Sequence, residues 1–127
     1  ESVGRTFAEL TNGHYDRVEV REGDLGFSVY SPDKGEMVPT EELLGSLSKG
    51  TASQLYLAAR LELVELLSGG RKPPLIFDDS FSYFDERRLE LMWNVLLGVA
   101  SDQQVIVLTC TDRYNGLTSS EVNVIDL

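Results

Sequence analysis

Two adjacent carboxylates, Asp78 and Asp79, directly follow the apolar run Leu75-Ile76-Phe77, and the stretch continues Ser80-Phe81-Ser82-Tyr83-Phe84-Asp85. A short apolar run after Pro73–Pro74 reads as a buried strand of a parallel sheet. The open end of such a strand is where α/β folds place their ligands. Two acids side by side repel unless a cation or a shared proton offsets them. Hard oxygen donors of this kind suit Mg²⁺ bound to phosphate. Taken alone, the pair is more often a solvated turn that opens the next helix.

A second stretch with chemical potential is Leu47-Ser48-Lys49-Gly50-Thr51. A hydroxyl and a glycine at a helix start make an anion site, with free backbone N–H groups, a positive dipole end and no side chain to block approach. An ordinary Ser/Thr cap is the plainer reading. Gly45-x-x-x-x-Gly50-Thr51 mimics the spacing of a P-loop, but no Lys follows the second glycine and no apolar strand leads into it. That match is rejected. His14 has no Cys or second His beside it and reads as a surface loop residue. Cys110 has no nearby His and reads as a small buried residue rather than a nucleophile.

These residues need elements to hold them. Glu1–Leu10 has the pattern of a helix end, with Val3, Phe7 and Leu10 on one side and a break at Asn12–Gly13. The pattern is already under way at residue 1, so the chain is expected to be a piece of something longer. Arg17–Arg21 and Leu25–Tyr30 alternate as strands around the turn Glu22-Gly23-Asp24, a β-hairpin. Ser31–Gly35 is a second turn leading to an extended piece, Glu36–Pro39. Glu41–Leu47 reads as a short helix. A long helix is expected over Thr51–Leu67, opened by a Thr51/Gln54 capping box and ended by Gly69–Gly70. Its face of Leu57, Leu61 and Val64, widened by Leu55, Ala58 and Leu67, is expected to pack on a sheet. Asp85–Val99 is a further amphipathic helix with Leu89, Met92, Trp93 and Leu96 at positions 0, 3, 4 and 7. Val105–Leu108 reads as a second buried strand and Glu121–Leu127 as a last one.

The 127 residues allow one domain at most, with 42% hydrophobic and 25% charged residues, a globular balance. No apolar run approaches the ~18 residues of a membrane span, and no signal-peptide pattern opens the chain, so no membrane partner is expected. A single cysteine forms no internal disulfide and fits a reducing, cytoplasmic setting. The net charge of −10 excludes this segment as a nucleic-acid grip by itself, since such binding neutralises phosphates with Lys and Arg.

With Gln54 and Leu55-Tyr56-Leu57-Ala58 following, Leu47–Thr51 resembles the signature motif of ABC-type ATPases. The closest variant is that of SMC-like proteins such as the bacterial SbcC and YhaN-type ATPases. Leu75–Asp79 then resembles the Walker B strand, Ser82-Tyr83-Phe84-Asp85 the D-loop, and Val105–Thr111 the strand leading to the switch position. Order and spacing agree over Leu47–Arg113. Phe7–Val20 also resembles the segment where the coiled coil re-enters such heads.

The resemblance implies an α/β fold, with residues 1–127 as the C-terminal lobe of an ABC/SMC-like P-loop NTPase head. Mainly parallel core strands are flanked by helices, beside a small antiparallel hairpin. It implies ATP and Mg²⁺ as cofactors. Asp78 is implied as the Mg²⁺ ligand and Asp79 as the general base, where the family usually carries a Glu. Thr111 stands at the switch position, normally His. Ser48, Lys49, Gly50 and Gln54 are implied as nucleotide-binding, with Ser48 and the Gly50 N–H on the γ-phosphate of ATP held by a second subunit. Ser82 and Asp85 are implied to lie across the same interface. The implied partners are a Walker A-containing N-terminal lobe, for which this chain has no sequence, and a second copy joined through ATP. DNA is implied for the full protein but not through this acidic segment, in DNA repair or chromosome maintenance and a cytoplasmic or nucleoid-associated setting. The alternative is a non-hydrolysing, ATP-gated scaffold, favoured by Asp79 in place of Glu and Thr111 in place of His.

Overall fold

In a computed structural model, which describes residues 2–21, 26–45 and 48–126, two small sheets and three longer helices share one core. Helix α1 (Ser2–Leu10) buries Phe7 and Leu10 completely and ends where Asn12 (φ 53°) and Gly13 (φ 78°) turn left-handed. The chain then folds into the antiparallel sheet β1 (Val18–Val20), β2 (Phe27–Ser31) and β3 (Glu36–Pro39), with Val29 opposite both Val18 and Val38. The expected hairpin is therefore present, and the extended piece adds a third strand to it. The turn expected at Glu22-Gly23-Asp24 lies outside the described residues. Helix α2 covers Thr40–Leu44, and the remainder of the short helix expected to Leu47 includes residues outside the described set.

Helix α3 runs Lys49–Ser68 and ends at Gly69, left-handed at φ 58°, as the glycine pair foretells. Its start differs from the expected capping box. Ser48 is the N-cap, its Oγ accepting from the Thr51 N–H, which leaves Gln54 for another use. The apolar face also differs. Leu55, Leu57 and Ala58 are buried, but Leu67 is 73% exposed, and α3 packs chiefly on α1 rather than on a sheet. The Thr6 hydroxyl donates to Glu62 Oε1 at 3.1 Å across that contact.

Strands β4 (Leu75–Asp78) and β5 (Val105–Leu108) pair in parallel, with Leu75 opposite Val105 and Asp78 opposite Leu108. Between them runs α4 (Glu86–Ala100), whose Leu89, Met92, Trp93 and Leu96 are all buried, as their spacing predicts. The α/β architecture with parallel core strands and a small antiparallel sheet is thus the one expected. The expected last strand is absent: residues 122–126 have no strand pairing, and Val124 and Ile125 are 58% and 72% exposed. Alternation alone does not make a strand, because each ladder bond needs a neighbouring backbone. Among the described residues no helix is long and apolar enough to cross a membrane.

Candidate functional site

The acid pair stands where β4 ends. Asp78 closes the strand, and Asp79 turns left-handed at φ 44°, a conformation that Asp adopts more readily than bulkier residues. Three contacts hold Asp79 there. Its N–H donates to the Leu108 carbonyl at 3.0 Å, its own carbonyl accepts from Ser82 Oγ at 2.7 Å, and its Oδ2 receives Cys110 Sγ at 3.5 Å. Both carboxylates are exposed. Among the described residues no three His, Cys, Asp or Glu side chains gather. Two exposed carboxylates are hard oxygen donors of the kind Mg²⁺ takes together with phosphate oxygens and water.

From Asp79 the chain turns through Ser80–Asp85 with Phe81 and Phe84 driven into the core at 1% and 3% exposure. These two rings anchor an otherwise polar turn, Phe81 lying 5.3 Å from Phe77 and 5.6 Å from Phe84. Arg113, from the loop after β5, fastens the same turn by donating to the Phe81 carbonyl at 3.3 Å and the Phe84 carbonyl at 2.5 Å. Asp85 ends the turn as the N-cap of α4, accepting the Arg88 N–H at 2.8 Å. That backbone hydrogen bond, opposed by burial and then helped by the Arg88 charge, holds the Asp85 carboxyl below the usual carboxylate value.

The start of α3 lies against this turn. Lys49 Nζ stands 5.6 Å from the centre of the Tyr83 ring. Gly50 is buried, and a Cβ there would come within 3.1 Å of the Tyr83 carbonyl and 3.2 Å of Arg88 Nη1. The glycine is thus required by a close approach, not by its own backbone angles. The Arg88 guanidinium joins the parts: it donates to Asp85 Oδ2 at 2.5 Å, Gln54 Oε1 at 3.3 Å, Ser48 Oγ at 3.4 Å and Thr51 Oγ1 at 3.2 Å.

Ser82 is thus tied back to Asp79, Arg88 ties Asp85 to Ser48, and the chain of the 82–85 turn joins the two sets. Gln54 stands apart in one respect. It is 2% exposed, its Nε2 donates to the Leu10 carbonyl and its Oε1 accepts from Arg88, so both ends of its side chain are committed inside the molecule. Thr111 is exposed, with its hydroxyl 3.2 Å from that of Thr109. Cys110 is the residue of this loop in contact with Asp79. It is exposed, which corrects the expectation that it is buried, because β5 has already left the core at Leu108 (43% exposed). His14 is exposed, as expected, with its ring edge-on to Tyr15. Sequence reasoning missed Arg88 and Arg113. The only signal was their place, three residues after a capping Asp and just beyond a strand.

No family model matches the chain. It is 36% identical over 114 residues, or 89% of its length, to the uncharacterized protein YhaN of Bacillus subtilis, and spans only 11% of that relative. Among solved structures it is similar to an SMC ATPase studied for ATP-driven dimerization and DNA-stimulated activation. That likeness has a TM-score of 0.65 at 17% identity and covers 92% of this chain and 72% of the other. It is also similar to the Smc head domain of Pyrococcus furiosus bound to the C-terminal domain of ScpA, with a TM-score of 0.66 at 16% identity over 91% of this chain and 28% of the other. In fold the chain matches the C-terminal lobe of SMC head domains.

Proposed function

We propose that this lobe completes an ATP-binding head that dimerises on ATP and hydrolyses it, and so drives a coiled-coil protein acting in DNA repair or chromosome maintenance. The observation that carries the reading is that the short 82–85 turn, tied to Asp79 at one end and through Arg88 to Ser48 at the other, brings the acid pair and the start of α3 to one surface. Asp78, with Asp79 beside it, would hold Mg²⁺, which screens the charge of the phosphates. Asp79 acts as general base by orienting the attacking water. Its carboxylate is one methylene shorter than Glu, and its left-handed backbone and the Cys110 thiol fix where that shorter arm points. Ser48 and the N–H of Gly50 face the γ-phosphate held by the second head, and Lys49 adds charge there. Ser82 and Asp85 lie against the same interface. Gln54 supports this surface from beneath.

The lobe does not hydrolyse ATP alone, because the phosphate-cradling loop and its Lys come from an N-terminal lobe. With a net charge of −10, DNA is met elsewhere in the full protein. The test uses the full-length parent protein, following Mg-ATP turnover and ATP-dependent dimerisation with Asp79→Asn and Ser48→Arg. Turnover is lost in both, and Asp79→Asn still dimerises on ATP. An ATP-gated scaffold without turnover is the second reading, favoured by the short Asp79 and by a Thr111 hydroxyl engaged with Thr109. Dimerisation without turnover in the unmutated protein would establish it. If ATP changes neither property, both readings fail.

A further inference from the structure

Ser48 Oγ has two lone pairs and one proton. One lone pair accepts the Thr51 N–H at 3.2 Å, and the other faces Arg88 Nη2 at 3.4 Å. With both taken, the hydroxyl can meet an incoming group only as a donor, the polarity a phosphate oxygen requires. Among the described residues its proton has one acceptor, Thr51 Oγ1 at 3.0 Å, and that oxygen also receives Arg88 Nη2. The same guanidinium grips Asp85 and, through the buried Gln54, connects to the Leu10 carbonyl at the end of α1.

We propose that Arg88 is a positioning residue for ATP hydrolysis: anchored by Asp85 and Gln54, it fixes the Ser48 hydroxyl as a donor toward the nucleotide of the opposite head. The inference rests on the function proposed above. Arginine suits the task because its planar fork has five fixed donors, and here four acceptors from two elements converge on it. Lysine supplies the charge from a single point and cannot bridge all four. Half of the design is visible at Gly50, where Arg88 Nη1 and Cδ occupy the space a side chain would need, 3.2 and 3.3 Å from its Cβ.

The experiment measures ATP turnover by the full-length protein carrying Arg88→Ala, Arg88→Lys, Ser48→Ala and the Arg88→Ala/Ser48→Ala pair. A displaced contact group lowers kcat by about 10- to 100-fold for Arg88→Ala. KM changes little, because the nucleotide is held chiefly by the other lobe. Arg88→Lys restores only part of the rate, and free guanidinium ion restores Arg88→Ala. The double variant is no slower than Ser48→Ala alone, since Arg88 acts through Ser48. A purely structural Arg88 would instead give losses that multiply and no guanidinium rescue, which overturns the proposal. So does an unchanged kcat in Arg88→Ala while Ser48→Ala is impaired. If Arg88→Ala does not fold, the same comparison is made with Arg88→Lys, alone and paired with Ser48→Ala. An unmutated protein without turnover, or a Ser48→Ala variant with full activity, identifies the underlying functional reading as the part that failed.

Discussion

Replacing Gly50 by Ala sets two opposed effects against each other. Gly50 lies in the first turn of α3 without a positive φ, so on propensity alone Ala stabilises the helix by about 0.5–1 kcal/mol. Against that, the added Cβ lies 3.1 Å from the Tyr83 carbonyl, 3.2 Å from Arg88 Nη1 and 3.3 Å from Arg88 Cδ. Ordinary contacts begin near 3.5 Å. The Tyr83 carbonyl is backbone in a turn pinned by Phe81 and Phe84, so Arg88 must give way. Its bonds to Thr51 and Ser48 are already 3.2 and 3.4 Å long, and a further few tenths of an ångström breaks them. Two partly exposed hydrogen bonds from a charged donor contribute about 1–3 kcal/mol together. The loss outweighs the helix gain, leaving Gly50→Ala less stable by up to about 2.5 kcal/mol. Urea unfolding of the chain and its variant, followed by the fluorescence of the buried Trp93, measures the difference. A variant equal to or more stable than the parent would refute the packing of Arg88 over Gly50.

Met92→Ala, at a fully buried core position, costs about 2–4 kcal/mol in the same unfolding assay. Asp85→Asn keeps a capping oxygen but removes the charge. Because the folded Asp85 carboxyl lies below its unfolded value, its contribution to stability is complete above the unfolded pKa and is lost as pH falls through the folded one. The parent therefore loses stability more steeply than Asp85→Asn at acid pH, and parallel curves in acid unfolding would contradict that. Tyr114 behaves oppositely: burial raises its pKa, so its contribution is complete below the ordinary value of 10.0 and lost as pH rises through the folded value. Tyr114→Phe flattens the alkaline limb of the stability curve. Maleimide addition to Cys110, whose Sγ is 3.5 Å from Asp79 Oδ2, abolishes turnover in the full-length protein, while Cys110→Ser retains turnover and removes the sensitivity at this site.

The elements legible in the sequence were those specified by local chemistry. Leu89, Met92, Trp93 and Leu96 declare one face of a helix, and all four are buried. Gly69 ends α3 because it alone takes the left-handed angle without a Cβ penalty. The strand that ends at the acid pair was legible for the same reason, whereas Asp85, read as the first residue of α4, is its cap. What stayed hidden depended on distant partners. Gln54 looked like part of a cap, yet its buried amide answers a carbonyl 44 residues away. Arg88 reads as an ordinary helix-surface charge until Ser48, 40 residues earlier, is beside it. Leu67 continues an apolar stripe that outlasts the surface available to cover it.

The β4–β5 pair states the same point from the other side. Leu75-Ile76-Phe77 and Val105–Leu108 are composed as strands buried on both faces, the habit of parallel sheets. In this chain only one face is served. Leu75 is buried and Phe77 meets Phe81, while Ile76 is 63% exposed and Leu108 43%. Two parallel strands are too few to stand alone in water, and this pair persists because α4 and the Phe81–Phe84 turn back it on one side. The residues therefore encode a burial that this segment does not supply by itself. A lobe covering Ile76 and Leu108 would also take the ends of β4 and β5 out of solvent, placing Asp78 and Asp79 at the floor of a cleft rather than on a rim. There a cation held as proposed above is less screened by water, which strengthens its attraction to both carboxylates.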